Sequence, residues 1–208
     1  MQGTVERVSE PRPVPVRTVH FRTSDGVEIV GDLAVPAEPR SAAIVCHPHP
    51  QYGGDRFNNV VAALFGTLAA AGVAALRFDF RAQFSGGPGE RLDAIAALDE
   101  LAGTVPDVPL VAVGYSFGAL VALGLEDERV TALGLVAPPL AMAPAPRAPR
   151  VPTLVLTPAH DQFSPPTSTE AIVAGWTTCE HRVVEMADHS LVGHAATVAE
   201  TVTAWLNP

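Results

Sequence analysis

The stretch Leu110-Val111-Ala112-Val113-Gly114-Tyr115-Ser116-Phe117-Gly118-Ala119-Leu120 constrains this chain more than any other. Residues 110–113 are an apolar run too short for a helix, the pattern of a strand buried on both faces. Past Gly114-x-Ser116-x-Gly118 the chain stays apolar over 118–125, at helical length. A strand that turns sharply into a helix pushes the serine at the turn out of the backbone, where other groups can reach its hydroxyl. Side chains two positions either side of it would collide with neighbouring backbone, so glycines stand there. The Phe117 amide then opens a helix and points where negative charge would be stabilised. In that context the pattern predicts an activated serine; in an ordinary strand-to-helix turn it would carry no chemistry.

The rest of the chain repeats the strand–helix alternation. Apolar and polar residues alternate over 16–22, Ser24-Asp25-Gly26 turns, and 27–35 runs on, which predicts a hairpin at a sheet edge. Strands are then expected over 42–46, 73–78, 110–113, 130–136, 152–157 and 181–186. Helices are expected over 58–71, 90–101, 118–125, 168–176 and 194–206. An antiparallel hairpin followed by strand–helix units predicts an α/β fold, a mostly parallel twisted sheet with helices on both faces. Residues 1–15, with Pro11, Pro13 and Pro15, read as an extended lead-in, and 16–208 as a single domain. Only about 15 residues, rich in Ala and Pro, separate the strands ending at 136 and starting at 152. That leaves room for a loop and none for a lid domain.

Composition narrows the function classes. The chain has 208 residues, 48% hydrophobic and 17% charged, with a formal net charge of -9. That charge, with no basic cluster, argues against a nucleic-acid partner. Cys46 and Cys179 lie far apart in no metal-ligand spacing, and read as small buried reduced thiols. The first 17 residues lack an apolar core after a basic start, so no signal peptide is expected. Residues 60–76 are uncharged but contain Gly66, Thr67 and Gly72; a helix ending at Gly72 and a buried strand explain them better than a membrane span. A cytoplasmic protein without a membrane partner is expected, and its oligomeric state is left open.

Sites in open α/β sheets collect beyond the carboxyl ends of the strands. After 42–46 comes His47-Pro48-His49-Pro50-Gln51-Tyr52-Gly53-Gly54. Pro48 and Pro50 have no N–H, so within 47–50 the amide able to join that of Phe117 in an oxyanion hole is that of His49. The two imidazoles are expected to orient the loop; without a carboxylate they make a poor metal site. After 73–78, Asp79 and Arg81 read as a structural ion pair, and Phe84 as a pocket residue together with Tyr52 and Tyr115. After 130–136 come Ala137, Pro138 and Pro139, with no carboxylate. After 152–157, Asp161 is the carboxylate available to fix a histidine tautomer. After 181–186 stands His189, with His194 as its rival and Asp188 as a cap.

Gly-x-Ser-x-Gly, His-Pro-His-Pro followed by Gly-Gly and Asn58-x-Val60-Val61, the Asp161 loop and Ala187-Asp188-His189 together resemble a lidless bacterial branch of the α/β-hydrolase superfamily. That branch is similar to serine esterases and dienelactone hydrolases, and the resemblance spans roughly 17–206. The chain departs from it at Ala82 and Phe84, where glycines would be expected, and at Ser190, where phenylalanine often follows the histidine. The order Ser116, Asp161, His189 is the α/β-hydrolase order. The resemblance implies a serine hydrolase acting on small or short-chain carboxylic esters through an acyl-enzyme on Ser116, with no cofactor or metal. Amide or peptide hydrolysis and acyl transfer would use the same residues, and a non-catalytic binder on the same fold is the alternative of another class.

Overall fold

The computed structural model describes residues 13–206. The lead-in expected over 1–15 lies mostly outside them. Strands β1 (Val16–Arg22) and β2 (Glu28–Ala34) form the expected hairpin. Then come β3 (Ser41–Cys46), α1 (Asn59–Ala70), β4 (Val73–Phe78), α2 (Pro88–Thr104), β5 (Leu110–Tyr115), α3 (Phe117–Leu123), β6 (Val130–Val136), β7 (Thr153–His160), α4 (Pro166–Val173), β8 (Cys179–Asp188) and α5 (Ala195–Leu206). One sheet orders its eight strands β1-β2-β4-β3-β5-β6-β7-β8. The first two pairings, β1 with β2 and β2 with β4, are antiparallel; the rest are parallel.

The alternation of small and branched apolar residues along β3, β4 and β5 follows from burial on both faces. Ala42, Ile44, Ala74, Leu76 and Ala112 pack with α2 and α3 residues on one face. Ala43, Val45, Ala75, Val111 and Val113 pack with α1 and α5 on the other. The uncharged stretch at 60–76 resolves as read: Asn58 caps α1 by accepting from Val60 N at 3.0 Å, and Gly72 at φ 85° turns the chain into β4. Among the described residues no helix is long and apolar enough to cross a membrane.

Element ends moved by a few residues where tertiary contacts outweigh local pattern. The strand expected over 152–157 runs to His160, and the one expected over 181–186 runs from Cys179 to Asp188, because the two pair along their length, with a register shift between Pro158 and His160. Helix α2 begins at Pro88, earlier than expected, since Glu90 reaches back to Gly87 N at 2.7 Å. Between β6 and β7 lies a loop with one 3-10 turn, Leu140–Met142. Buried Leu140 and a hydrogen bond from Ala141 N to Ser164 Oγ, 3.2 Å, fasten it to the sheet end.

Candidate active site

Sheet register brings the candidate residues together. Cys46 on β3 and Gly114 on β5 are Cα partners. The His47–Gly54 loop and the Ser116 turn therefore leave the sheet side by side. A Cβ on Gly118 would stand 2.3 Å from Cys46 O, and one on Gly114 would stand 2.2 Å from Gly118 O. Glycine at both positions is what lets the three backbones approach so closely. At the other pairing, His160 on β7 faces Asp188 on β8. Asp161 and His189 are the next residues of each chain segment, so they too leave as neighbours.

Ser116 sits at φ 54°, ψ -118°. Such a conformation costs a non-glycine residue roughly 1–3 kcal/mol and persists only when its surroundings impose it. Here Ser116 N donates to Val136 O at 2.8 Å. The turn aims Ser116 Oγ at His189 Nε2, 2.8 Å away, and His189 Nδ1 lies 2.8 Å from Asp161 Oδ2. A carboxylate only accepts, so Nδ1 carries the imidazole proton and Nε2 accepts from the serine hydroxyl. The Asp161 side chain is fully buried, and its other oxygen accepts from Phe163 N at 2.8 Å and Ser164 N at 3.0 Å. A hydroxyl bonded to an imidazole that is itself oriented by a buried carboxylate can pass its proton as it attacks an electrophilic carbon.

Two residues of the expected pocket have other surroundings. Tyr115 is buried, and its hydroxyl donates to the His189 carbonyl at 2.7 Å; burial pushes that phenol up to about 12. It braces the histidine's backbone. Tyr52 is 87% exposed, with its ring 4.7 Å from that of His49. Phe84 packs on His49 at 4.5 Å and on Phe117 at 5.5 Å, and with Val27 and residues 81–83 and 85 it lines a cleft of about 480 Å³. Phe163, which the sequence did not single out, places its ring edge-on to His189 at 4.6 Å. Its place two residues after Asp161, in a loop otherwise polar, was the available signal.

His47 and His49 take different roles. His47 is almost wholly buried, Nδ1 2.6 Å from Pro48 O and Nε2 accepting from Phe80 N at 3.0 Å. His49 Nδ1 accepts from Gln51 N at 3.3 Å while its ring packs among Tyr52, Phe84 and Phe117. Burial pushes both imidazoles below their ordinary values. Phe117 opens α3, so its N–H belongs to the helix's unpaired first turn.

Asp79 and Arg81 do not pair with each other, which corrects the sequence reading. Asp79 pairs with Arg56, while Arg81 grips buried Asp93 at 2.8 Å and Asp25 at 2.8 Å. Each carboxylate and guanidinium instead meets an opposite charge brought in from elsewhere: Arg56 from the loop after β3, Asp93 from α2 and Asp25 from the hairpin turn. Buried Glu90 accepts from Ser85 N, Ser85 Oγ and Gly87 N, so α2 holds the loop bearing Phe84 with two carboxylates. Asp188 accepts from Ser190 N at 2.9 Å, the loop cap expected of it, and its carboxyl is lowered chiefly by the Ser190 hydroxyl. His194 immediately precedes α5, its carbonyl accepting from Val198 N at 3.0 Å. Cys46 is fully buried, its thiol pushed up by burial; Cys179 is half-buried, pushed up to about 11, and both are free. Among the described residues, no three His, Cys, Asp or Glu side chains are grouped to hold a metal ion.

No family model matches the chain. An uncharacterized protein of Rickettsia prowazekii is 36% identical over 119 residues, a match that covers 53% of this chain and 50% of that protein. The chain thus spans about half the length of the curated relative it matches. Among solved structures, an α/β serine hydrolase homologue from Coxiella burnetii superposes with a TM-score of 0.84 at 26% identity, covering 91% of this chain and 97% of that one. A serine hydrolase without a lid from Xanthomonas campestris gives 0.82 at 22% identity, covering 96% and 99%. An esterase from Pyrococcus furiosus gives 0.78 at 18% identity, covering 93% and 92%. With its sheet order, its antiparallel entry and these neighbours, the chain has the α/β-hydrolase fold.

Proposed function

We propose that the protein is a serine hydrolase that cleaves carboxylic esters of small or short-chain acyl groups. The observation that carries the reading is Ser116 at φ 54°, its Oγ 2.8 Å from His189 Nε2, with Asp161 2.8 Å behind the imidazole. His189 takes the Ser116 proton as Oγ attacks the acyl carbon, then delivers it to the leaving alcohol. Asp161 keeps the imidazole in its Nδ1–H form and stabilises the imidazolium. The amides of Phe117 and His49 hold the developing oxyanion, each contributing about 3 kcal/mol to the transition state. Water, activated by His189, then releases the acid from the acyl-enzyme.

The substrate size follows from what surrounds Ser116. The short 137–152 loop supports an open site, suited to small molecules that need no enclosure. Tyr52, Phe84 and Phe163 give it an aromatic rim. Nothing cationic is hydrogen-bonded into the Ser116–His189–Asp161 array, so a neutral acyl group suits it better than a carboxylate-bearing one.

Labelling with a fluorophosphonate probe, read by intact mass on wild type and Ser116→Ala, tests the reading. Modification of wild type alone is expected, followed by fastest turnover of the shortest members of a p-nitrophenyl ester series. Folded wild type that takes no label would sink the hydrolase assignment.

A further inference from the structure

The polar contacts of His47 admit one protonation state, and the loop they hold carries the His49 amide. Pro48 O can only accept and Phe80 N can only donate, yet each sits against a different nitrogen of the same ring. Nδ1 must therefore carry the proton and Nε2 must be bare. The ring is 1% exposed and packs on Phe80 at 4.5 Å, so water cannot substitute for either contact. One bond ties the start of the 47–54 loop to its own backbone; the other ties it to the strand end after β4. The neighbouring chain reinforces the tie, since Arg56 N donates to Asp79 Oδ1 at 2.9 Å, directly before Phe80.

We infer that His47, as a neutral Nδ1–H imidazole, is the positioning residue that aims the His49 amide at the oxyanion, and that protonating it releases the loop. This rests on the serine-hydrolase reading. An imidazolium would present an Nε2–H to the Phe80 N–H, two donors face to face, and the loop would have to shift to separate them. The charged groups facing the ring are Asp79 and Asp55, both of which favour its charged form. Asp79 is already engaged by Arg56. Burial outweighs them and lowers the ring's proton affinity below the ordinary value of 6.5. The sign follows: the unfolded chain binds the proton more readily, so the stabilisation is complete above about pH 6.5 and is lost as the pH falls through the lower folded value. Activity should therefore carry a proton-dependent factor on the acid side that comes from His47.

The test uses the full chain with ¹⁵N-histidine labelling and ester kinetics from pH 4.5 to 8.5. His47→Gln can still accept from Phe80 N through its Oε1 but cannot titrate; His47→Ala keeps neither contact. Assigned by its loss in His47→Gln, the His47 resonance should show protonated Nδ1 and bare Nε2. The wild-type acid limb should be steeper than that of His47→Gln by one proton. At pH 8, His47→Ala should lose roughly 100-fold in kcat, the scale of one oxyanion donor, with KM within about twofold, and His47→Gln should recover most of it. An Nε2–H His47, equal slopes, or a Gln variant as impaired as the Ala variant each overturns the inference. An Nδ1–H His47 in a wild type that takes no fluorophosphonate label would instead mark the failure of the hydrolase reading, and would remove any oxyanion role for His47.

Discussion

The serine and the histidine that face each other across this site are held by opposite means. Ser116 follows β5, all of whose residues are buried, and the neighbouring strand β3 is buried from Ala42 onward. Its unfavourable φ is imposed by close-packed backbone, with Gly118 set against Cys46 and His47 carbonyls. His189 follows β8, an edge strand in which Ala187 alone is buried. Three local fastenings hold it: the Asp161 carboxylate, the Tyr115 hydroxyl on its carbonyl, and buried Leu191 anchoring the loop beyond. Ser116 is fixed by packing and His189 by hydrogen bonds. Groups buried away from Ser116 Oγ should answer to mutation through stability, the Ser116 hydroxyl and the hydrogen bonds around His189 through rate.

Ser116→Ala should give the largest effect, a loss of about 10⁶ in kcat with an unchanged melting temperature. Appreciable residual turnover of the same ester would move the chemistry away from the elbow. Asp161→Asn should follow at about 10⁴ in kcat, because an amide does not hold the Nδ1–H tautomer; single-turnover kinetics would locate the loss in acylation. Asp93→Ala probes the buried side, at the ion pair behind the Phe84 loop. Stripping Arg81 of its buried partner should cost about 3 kcal/mol, read as a fall of roughly 6–12 °C in melting temperature. If Asp93→Ala instead left the melting temperature alone and cut only kcat, the division between the buried groups and those around Ser116 and His189 would fail. Tyr115→Phe should be mildest, about fivefold in kcat at constant KM, since one hydrogen bond is worth about 1 kcal/mol.

How far such a division can be read from sequence depends on what makes each contact. Strand ends and residue order were legible, because burial on both faces writes apolar runs and the turn demands glycines at 114 and 118. That placed Ser116, Asp161 and His189 each just past the carboxyl end of a strand before any distance was measured. The partners of Asp79 and Arg81 were not legible: Asp93 lies a helix away and Arg56 in another loop, and no local pattern couples them. The Tyr115 contact was hidden for the same reason, since its place within the elbow says nothing of the carbonyl 74 residues on that its hydroxyl meets. The β7–β8 register shift, which decides where Asp161 leaves the sheet, leaves no mark in hydrophobic period.

The short connection between β6 and β7 has a kinetic consequence. Hydrolases that wake at an oil–water boundary do so because a cover swings aside there. Here the segment over Leu140 is pegged to the sheet end, by a buried leucine and the Ala141–Ser164 bond. Turnover should then track the concentration of dissolved ester smoothly through its micelle threshold, with neither a lag nor a jump. The rate of encounter, not the opening of a door, would set how this site competes for substrate.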